Sequence, residues 1–296
     1  MNLKEEGLNQ LKGKSTSEYF LDFHNRRLNL SSRTHLMGIL NVTPDSFSDG
    51  GRFFKLDEAI KQGVSLAEEG ADIIDVGGES TRPGSEPVSL EEELRRVIPV
   101  IEELAKRTDV PISIDTYKSK LAKEALDSGA QMVNDISALR FDPEMKNVVA
   151  YYRIPVALMH IKGTPKNMQE NPFYENVVEE IKEYLKESMK MAKDVGIDEE
   201  KIVLDPGIGF GKTLEDNLKI LRNLKEFTDL GRSLLIGVSR KSFIGKILDL
   251  PVEERLEGSL AALAVSIMNG ANLLRVHDIK ESKRVARLVD AILIRG

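Results

Sequence analysis

The feature that most constrains this chain is an alternation. From Thr34 onward, eight short apolar runs are separated by longer charged stretches in which apolar residues recur every three or four positions. The runs are Leu36–Leu40, Ile73–Val76, Ile112–Ile114, Met132–Val133, Val156–Met159, Ile202–Leu204, Leu234–Val238 and Leu273–Val276. Each is brief and almost continuously apolar, the pattern of a strand buried on both faces. The longer stretches are Leu56–Glu69, Leu90–Arg107, Ser119–Ser128, Glu175–Val195, Leu214–Leu224, Glu253–Met268 and Lys280–Ile294, with a shorter candidate at Pro143–Tyr151. They carry the period of amphipathic helices. Gly70, Gly129, Gly196 and Gly270 stand where four of these helices should stop. Strands and helices in alternation, with no long polar linker, predict a parallel sheet, and eight repeats over about 250 residues predict a closed (β/α)8 TIM barrel. A doubly wound open sheet is the alternative. Residues 1–33 lie outside the repeat and read as an N-terminal extension, with a helix expected around Glu18–Arg27. Residues 34–296 read as a single domain.

Composition narrows the chemistry. Cysteine is absent from the 296 residues, which excludes disulfides, thiolate metal sites and a catalytic thiol and suits a reducing cytoplasm. The net charge of −6, from 42 basic and 48 acidic residues, makes nucleic acid or an anionic membrane an unexpected partner. The stretch Met1–Glu6 is polar and acidic, unlike a secretory signal. The most apolar tract, Leu260–Leu274, is interrupted by Ser266, Asn269, Gly270 and Asn272 and is too short to span a bilayer.

In a barrel of this kind the chemistry sits at the C-terminal ends of the strands. Following the eight runs in order, those ends supply Asn41; Gly77-Gly78-Glu79; Asp115; Asn134-Asp135; His160; Asp205; Ser239-Arg240-Lys241; and Arg275 with His277. Asn and Asp are favoured at loop starts for turn reasons alone. Eight polar groups at one rim are better explained by a pocket. Asp115, Asn134 and Asp205 offer two carboxylates and an amide, which suit a flat heterocycle with a guanidine-like edge. Lys241, Arg275 and His277 come from the last two strands, where barrels often hold phosphate. The competing reading for Arg275 and His277 is an ion pair with Asp278. Ser242 opens a helix whose amides could support a second anion. His160, after Met159, reads equally well as a core residue or a site residue. Two loops, Asn41–Gly51 and Glu79–Ser85, read as mobile lids, and Phe47 is expected to pack on a ligand ring.

Other motifs fail. Gly207–Thr213 has Pro206 where a phosphate-binding P-loop needs glycine and Lys212 where a dinucleotide fingerprint needs glycine or alanine, so it reads as a flexible turn. The four histidines, His24, His35, His160 and His277, lack metal-ligand spacing. No serine occupies a nucleophile elbow.

Seven stretches in order resemble the dihydropteroate synthase family: Met37–Gly51 (MGILNVTPDSFSDGG), Asp75–Gly84 (DVGGESTRPG), Ile112–Thr116 (ISIDT), Val133–Ser137 (VNDIS), Asp205–Lys212 (DPGIGFGK), Ser239–Gly245 (SRKSFIG) and Arg275–Asp278 (RVHD). The resemblance covers roughly residues 34–294. It implies a TIM-barrel transferase that joins 6-hydroxymethyl-7,8-dihydropterin diphosphate to p-aminobenzoate, releases pyrophosphate and is a target of sulfonamides. It implies that Asp115, Asn134, Asp205 and Lys241 hold the pterin, that Asn41 binds Mg²⁺ with the diphosphate, and that Arg275 and His277, with Thr81 and Arg82, grip the diphosphate. Phe47, Pro83, Phe210, Lys241 and Ser242 would frame aminobenzoate, and Met159 and Ser239 complete the substrate-binding set. It also implies a homodimer, for which Leu260–Met268 is a candidate interface. The rival readings are a pterin-dependent methyltransferase, which needs neither the lids nor the basic group, and a non-catalytic pterin-binding protein. A phosphosugar barrel enzyme is disfavoured because the third, fourth and sixth runs offer no Schiff-base lysine.

Overall fold

The computed structural model describes residues 18–24, 26–43 and 52–294. Eight strands, β3 (His35–Asn41), β4 (Ile73–Gly77), β5 (Ile112–Asp115), β6 (Met132–Asp135), β7 (Val156–Met159), β8 (Ile202–Asp205), β9 (Ser233–Ile236) and β10 (Leu273–Val276), close a barrel. All neighbours are parallel, and β10 pairs with both β9 and β3, which excludes the open sheet. The surrounding helices are α1 (Arg52–Glu69), α2 (Leu90–Arg107), α3 (Ser119–Asp127), α4 (Met145–Tyr152), α5 (Val177–Asp194), α6 (Leu214–Arg222), α7 (Ser242–Leu248), α8 (Leu256–Met268) and α9 (Ile279–Ile292). Gly70, Gly129, Gly196 and Gly270 all adopt positive φ, between 86° and 116°, where a side chain would be strained. The four predicted stops are therefore real ones.

Successive strand residues point to opposite faces. Outward residues such as Leu36, Ile74, Ile114, Val133, Leu158, Leu204, Ile236 and Leu274 join the helices in one large buried cluster. Inward residues at the N-terminal ends, Met37, Ile73, Met132, Ala157, Val203, Leu235 and Leu273, form a second one. Burial on both faces explains why the strands read as nearly unbroken apolar runs.

The helix expected around Glu18–Arg27 does not form. Instead β1 (Phe20–Asp22) and β2 (Arg27–Asn29) make an antiparallel hairpin. Leu21, Phe23, Leu28 and Leu30 pack into the inward cluster and close the base of the barrel. The hairpin thus completes the barrel core. Two buried carboxylates tie it down: Asp72 accepts from Arg33 at 2.6 and 3.0 Å, and Asp290 accepts from the amide and hydroxyl of Thr34 at 2.8 Å each. Leu28→Ala should lower unfolding free energy by ~2–4 kcal/mol in denaturant titration. It should leave ligand affinity at the far end of the barrel unchanged. A loss under ~0.5 kcal/mol would show that the hairpin rests on the base without plugging it.

Candidate active site

The same period that fills the base builds the mouth. Two residues beyond each base-layer position the chain presents another inward side chain. Met132 leads to Asn134, Ala157 to Met159, Val203 to Asp205, Leu273 to Arg275, and Ile73 to Asp75. Asp115 and Asn134 are paired across β5 and β6, and Met159 and Asp205 across β7 and β8. The polar groups therefore lie on the rims of neighbouring strands around one opening.

The strongest interaction there involves a residue the sequence reading passed over. Arg275 donates from Nε to Asp75 and from Nη2 to Asp115, both at 2.6 Å. Asn134 donates from Nδ2 to the same oxygen of Asp75 at 3.0 Å. Asp75 is fully buried, and its signal was an acid inside an otherwise apolar run. The alternative ion pair of Arg275 and His277 with Asp278 does not form. Asp278 takes Arg240 in a two-bond grip at 2.7 and 3.1 Å. His277 Nδ1 lies 3.0 Å from Ser239 Oγ, which also accepts from the His277 amide. Lys241 sits 4.1 Å above the Phe210 ring, a cation–π contact that places an amine and an aromatic face side by side.

The Gly207–Thr213 segment is no flexible turn. Gly207, Gly209 and Gly211 all have positive φ. A Cβ at Gly207 would collide with the carbonyl of His160, and one at Gly211 with that of Lys162. Gly207 donates to Asp205 at 2.7 Å, and Gly209 donates to Asn217 at 2.6 Å. Lys212 is buried and bonds His160 Nδ1 and the Phe210 carbonyl, each at 2.9 Å. His160 packs edge-on against Tyr184, with centroids 4.6 Å apart. This resolves its two readings: His160 is a buried partner that supports the loop. Met159 and Phe210 share a small apolar cluster with Ile136, Ile161 and Met168 at the rim.

The second loop is tethered at both ends and at its tip. Glu79 accepts from Val88 N at 2.8 Å and from Lys118 and Tyr117 at 2.7 Å each. Gly84 donates to the Pro165 carbonyl at 3.0 Å, which carries the loop from β4 past β5 and β6 to the β7 connection. Thr81 is half-buried, and Arg82 and Pro83 are exposed on this roof. Ser242 is exposed where the seven-residue α7 begins. Asn41 ends β3 and makes no hydrogen bond to any described residue through its side chain. Phe47 lies outside the described residues.

Residues 37–277 match the pterin binding enzyme family. A dihydropteroate synthase of Clostridium beijerinckii is 49% identical over 271 residues, covering 91% of this chain and 98% of that protein. The chain belongs to the dihydropteroate synthase family of pterin binding enzymes. The Yersinia pestis family member, solved with a sulfonamide drug, superposes with a TM-score of 0.88 at 43% identity, covering 93% of this chain and 99% of that one. The Xanthomonas albilineans member superposes with a TM-score of 0.88 in its structure with 4-aminobenzoic acid and 0.84 in its complex with 7,8-dihydropteroate, at 44% and 42% identity. Those two cover 94% and 93% of this chain and 99% and 98% of the others.

Burial sets the electrostatics of the family site. It pushes Asp115 up to about 7, against the pull of Arg275, and Asp205 up to about 6, against a bond from Gly207. Burial, then repulsion by Arg275, lowers Lys241 to about 8. The same two causes lower His277 to about 4. His277 is thus a neutral hydrogen-bonding group in the ligand-free protein, whereas the sequence reading grouped it with the cations. Asp205 keeps its proton in the folded state at pH values where the unfolded chain has released it. Its effect on stability is therefore unfavourable as pH rises from about 4 to about 6, and the cost is complete above that. The cost at neutral pH is ~3 kcal/mol at most. Asp205→Asn should raise the Tm of the ligand-free protein near pH 7.5 by about 3 °C or more, with the gain shrinking toward pH 4. A lower Tm at pH 7.5 would mean that the ionised carboxylate stabilises the fold.

Proposed function

We propose that the chain condenses 6-hydroxymethyl-7,8-dihydropterin diphosphate with p-aminobenzoate to give 7,8-dihydropteroate and pyrophosphate. The observation that carries this reading is one mouth holding Asp115, Asn134 and Asp205 beside Arg275 and Lys241. Adjacent N–H groups of a pterin edge need acceptors that are fixed and anionic, and a diphosphate needs cations. The relatives solved with 4-aminobenzoic acid and with 7,8-dihydropteroate support both halves of the substrate pair.

The C–O bond to the diphosphate breaks first, and its electron pair leaves with the phosphate oxygen. The dihydropterin ring spreads the positive charge left on the methylene carbon. Asp205, whose carboxyl ionises above about pH 6, and Asp115, which ionises near pH 7, stabilise that charge through space as carboxylates. The arylamine lone pair then forms the C–N bond, and the amine proton passes to solvent or to the departing pyrophosphate. Lys241 and Phe210 supply the edge and face against which the aminobenzoate ring lies, with Ser242 at its carboxylate. Arg275 neutralises the departing group. Thr81 and Arg82 reach the same group from the roof, and Pro83 borders the aminobenzoate ring.

Asn41 fits a Mg²⁺ ligand. Among the described residues no three acidic or histidine side chains cluster to cage a metal, and Mg²⁺ bound with a diphosphate keeps most of its waters and takes few protein ligands. When bound, the ion adds charge neutralisation at the leaving group. The diphosphate is too charged to cross a bilayer unaided, which supports a cytoplasmic location. A homodimer is supported by the apolar residues that α8 and α9 leave outside: Val265, Met268, Leu288 and Ile292 are 45–67% exposed. Met268→Glu should then shift the protein from dimer to monomer in sedimentation, and a wild-type monomer at micromolar concentration would refute the assembly.

The deciding assay is pyrophosphate release from the pterin diphosphate with Mg²⁺, in the presence and absence of p-aminobenzoate. Steady turnover should require the arylamine, and Asp205→Asn should lower kcat by about 10²-fold. Pterin binding without pyrophosphate release would leave a silent binding protein.

A further inference from the structure

The Asp75 carboxylate has two oxygens with different fates. Oδ2 accepts from both Arg275 Nε at 2.6 Å and Asn134 Nδ2 at 3.0 Å. Oδ1 is buried with no hydrogen-bond partner. All of this carboxylate's hydrogen bonding is thus directed to two residues of the mouth. Asp75 lies on β4 opposite Ile39 and Ser113, one inward step below Gly77. It is fully buried, whereas Asp115 is partly exposed to the opening.

We infer that Asp75 is a positioning residue for the proposed reaction: its buried carboxylate is the permanent anchor that aims the Arg275 guanidinium and turns the Asn134 amide, while the Arg275–Asp115 contact is the arm that substrate exchanges. This rests on the pterin reading above. Three geometric facts lead to it. A guanidinium that bridges two carboxylates can release one without becoming an unpaired buried charge. Only Asp115 of the two is open to the mouth. The amide nitrogen of Asn134 faces Asp75, which leaves its carbonyl oxygen on the other side as an acceptor for ring N–H groups. Without Asp75 the guanidinium has Asp115 alone. Substrate must then break its last ion pair, and the amide loses the partner that fixes its orientation.

Titration calorimetry with 6-hydroxymethylpterin tests this in wild type, Asp75→Asn, Arg275→Lys and the double variant. Asp75→Asn keeps the shape and should fold. Its affinity for the pterin should fall at least tenfold, about 1.4 kcal/mol. In the Arg275→Lys background, which removes the bridging fork, the same change should cost less than threefold. Equal losses in both backgrounds would show that Asp75 does not act through Arg275 and would overturn the inference. So would an unchanged affinity in the single variant. A wild type that binds no pterin would overturn the functional reading as well, so the two failures are distinguishable. If Asp75→Asn does not fold, the wild-type protein crystallised with 6-hydroxymethylpterin decides: Arg275 Nε should remain on Asp75 and Asp115 should turn to the ring. Arg275 leaving Asp75 in that complex would refute the anchor.

Discussion

A barrel strand offers one inward position every two residues, and everything this molecule does is arranged around that limit. Only a few inward layers fit along strands this short. Here the lowest layer is apolar and is sealed from below by Leu21, Phe23, Leu28 and Leu30. The layers above it hold Asp75, Asp115, Asn134, Asp205 and Arg275. Charges placed so close to an apolar floor lose much of their hydration. The guanidinium of Arg275, shared by two carboxylates at 2.6 Å, is what makes this tolerable. It neutralises one carboxylate that never meets solvent and one that faces the opening.

The division of the core follows. Stability resides in the layer between strands and helices and in the plugged base, both apolar and fully buried. The mouth works against stability at neutral pH, because burial raises Asp115 and Asp205 and lowers Lys241. A ligand with paired N–H donors and an anionic tail meets the unsatisfied side of each. The strained neighbourhood has the same logic. Three glycines with positive φ let the β8 loop approach two carbonyls that any side chain would strike, and that approach sets Phe210 beneath Lys241. Conformations of this kind persist where the surrounding packing determines them.

The alternation of runs and amphipathic stretches made the barrel legible, because burial on both faces leaves a pattern that survives without coordinates. Asp115, Asn134 and Asp205 were legible too, since each directly follows an apolar run. Asp75 was not, because it interrupts a run, and an acid there reads as noise until its partner is known to come from a strand 200 residues away. The hairpin escaped for a different reason. Strands of three residues are too short to show a period, so Leu21 and Leu28 look like a mixed polar segment until the base of the barrel is seen to need them. The Gly207–Gly211 loop was misread as flexible because glycine spacing alone cannot distinguish freedom from close approach.

The last two strands show how closely one motif can interleave function with support. In Ser239-Arg240-Lys241 and in Arg275-Val276-His277-Asp278, alternate residues have alternate tasks. Ser239, Lys241, Arg275 and His277 belong to the mouth, and Arg240 and Asp278 bind each other beside it. Arg240 adopts φ of 56°, which is unfavourable for a residue with a side chain. Its amide donates to Ser259 at 2.8 Å and its carbonyl accepts from Arg255 at 3.2 Å. Four bonds from three partners therefore hold a left-handed residue between two mouth residues. The reversal of backbone direction at Arg240 is what sends Ser239 toward His277 and Lys241 toward Phe210. A motif that reads as a cluster of ligands is, on this geometry, a set of ligands and the strap that separates them.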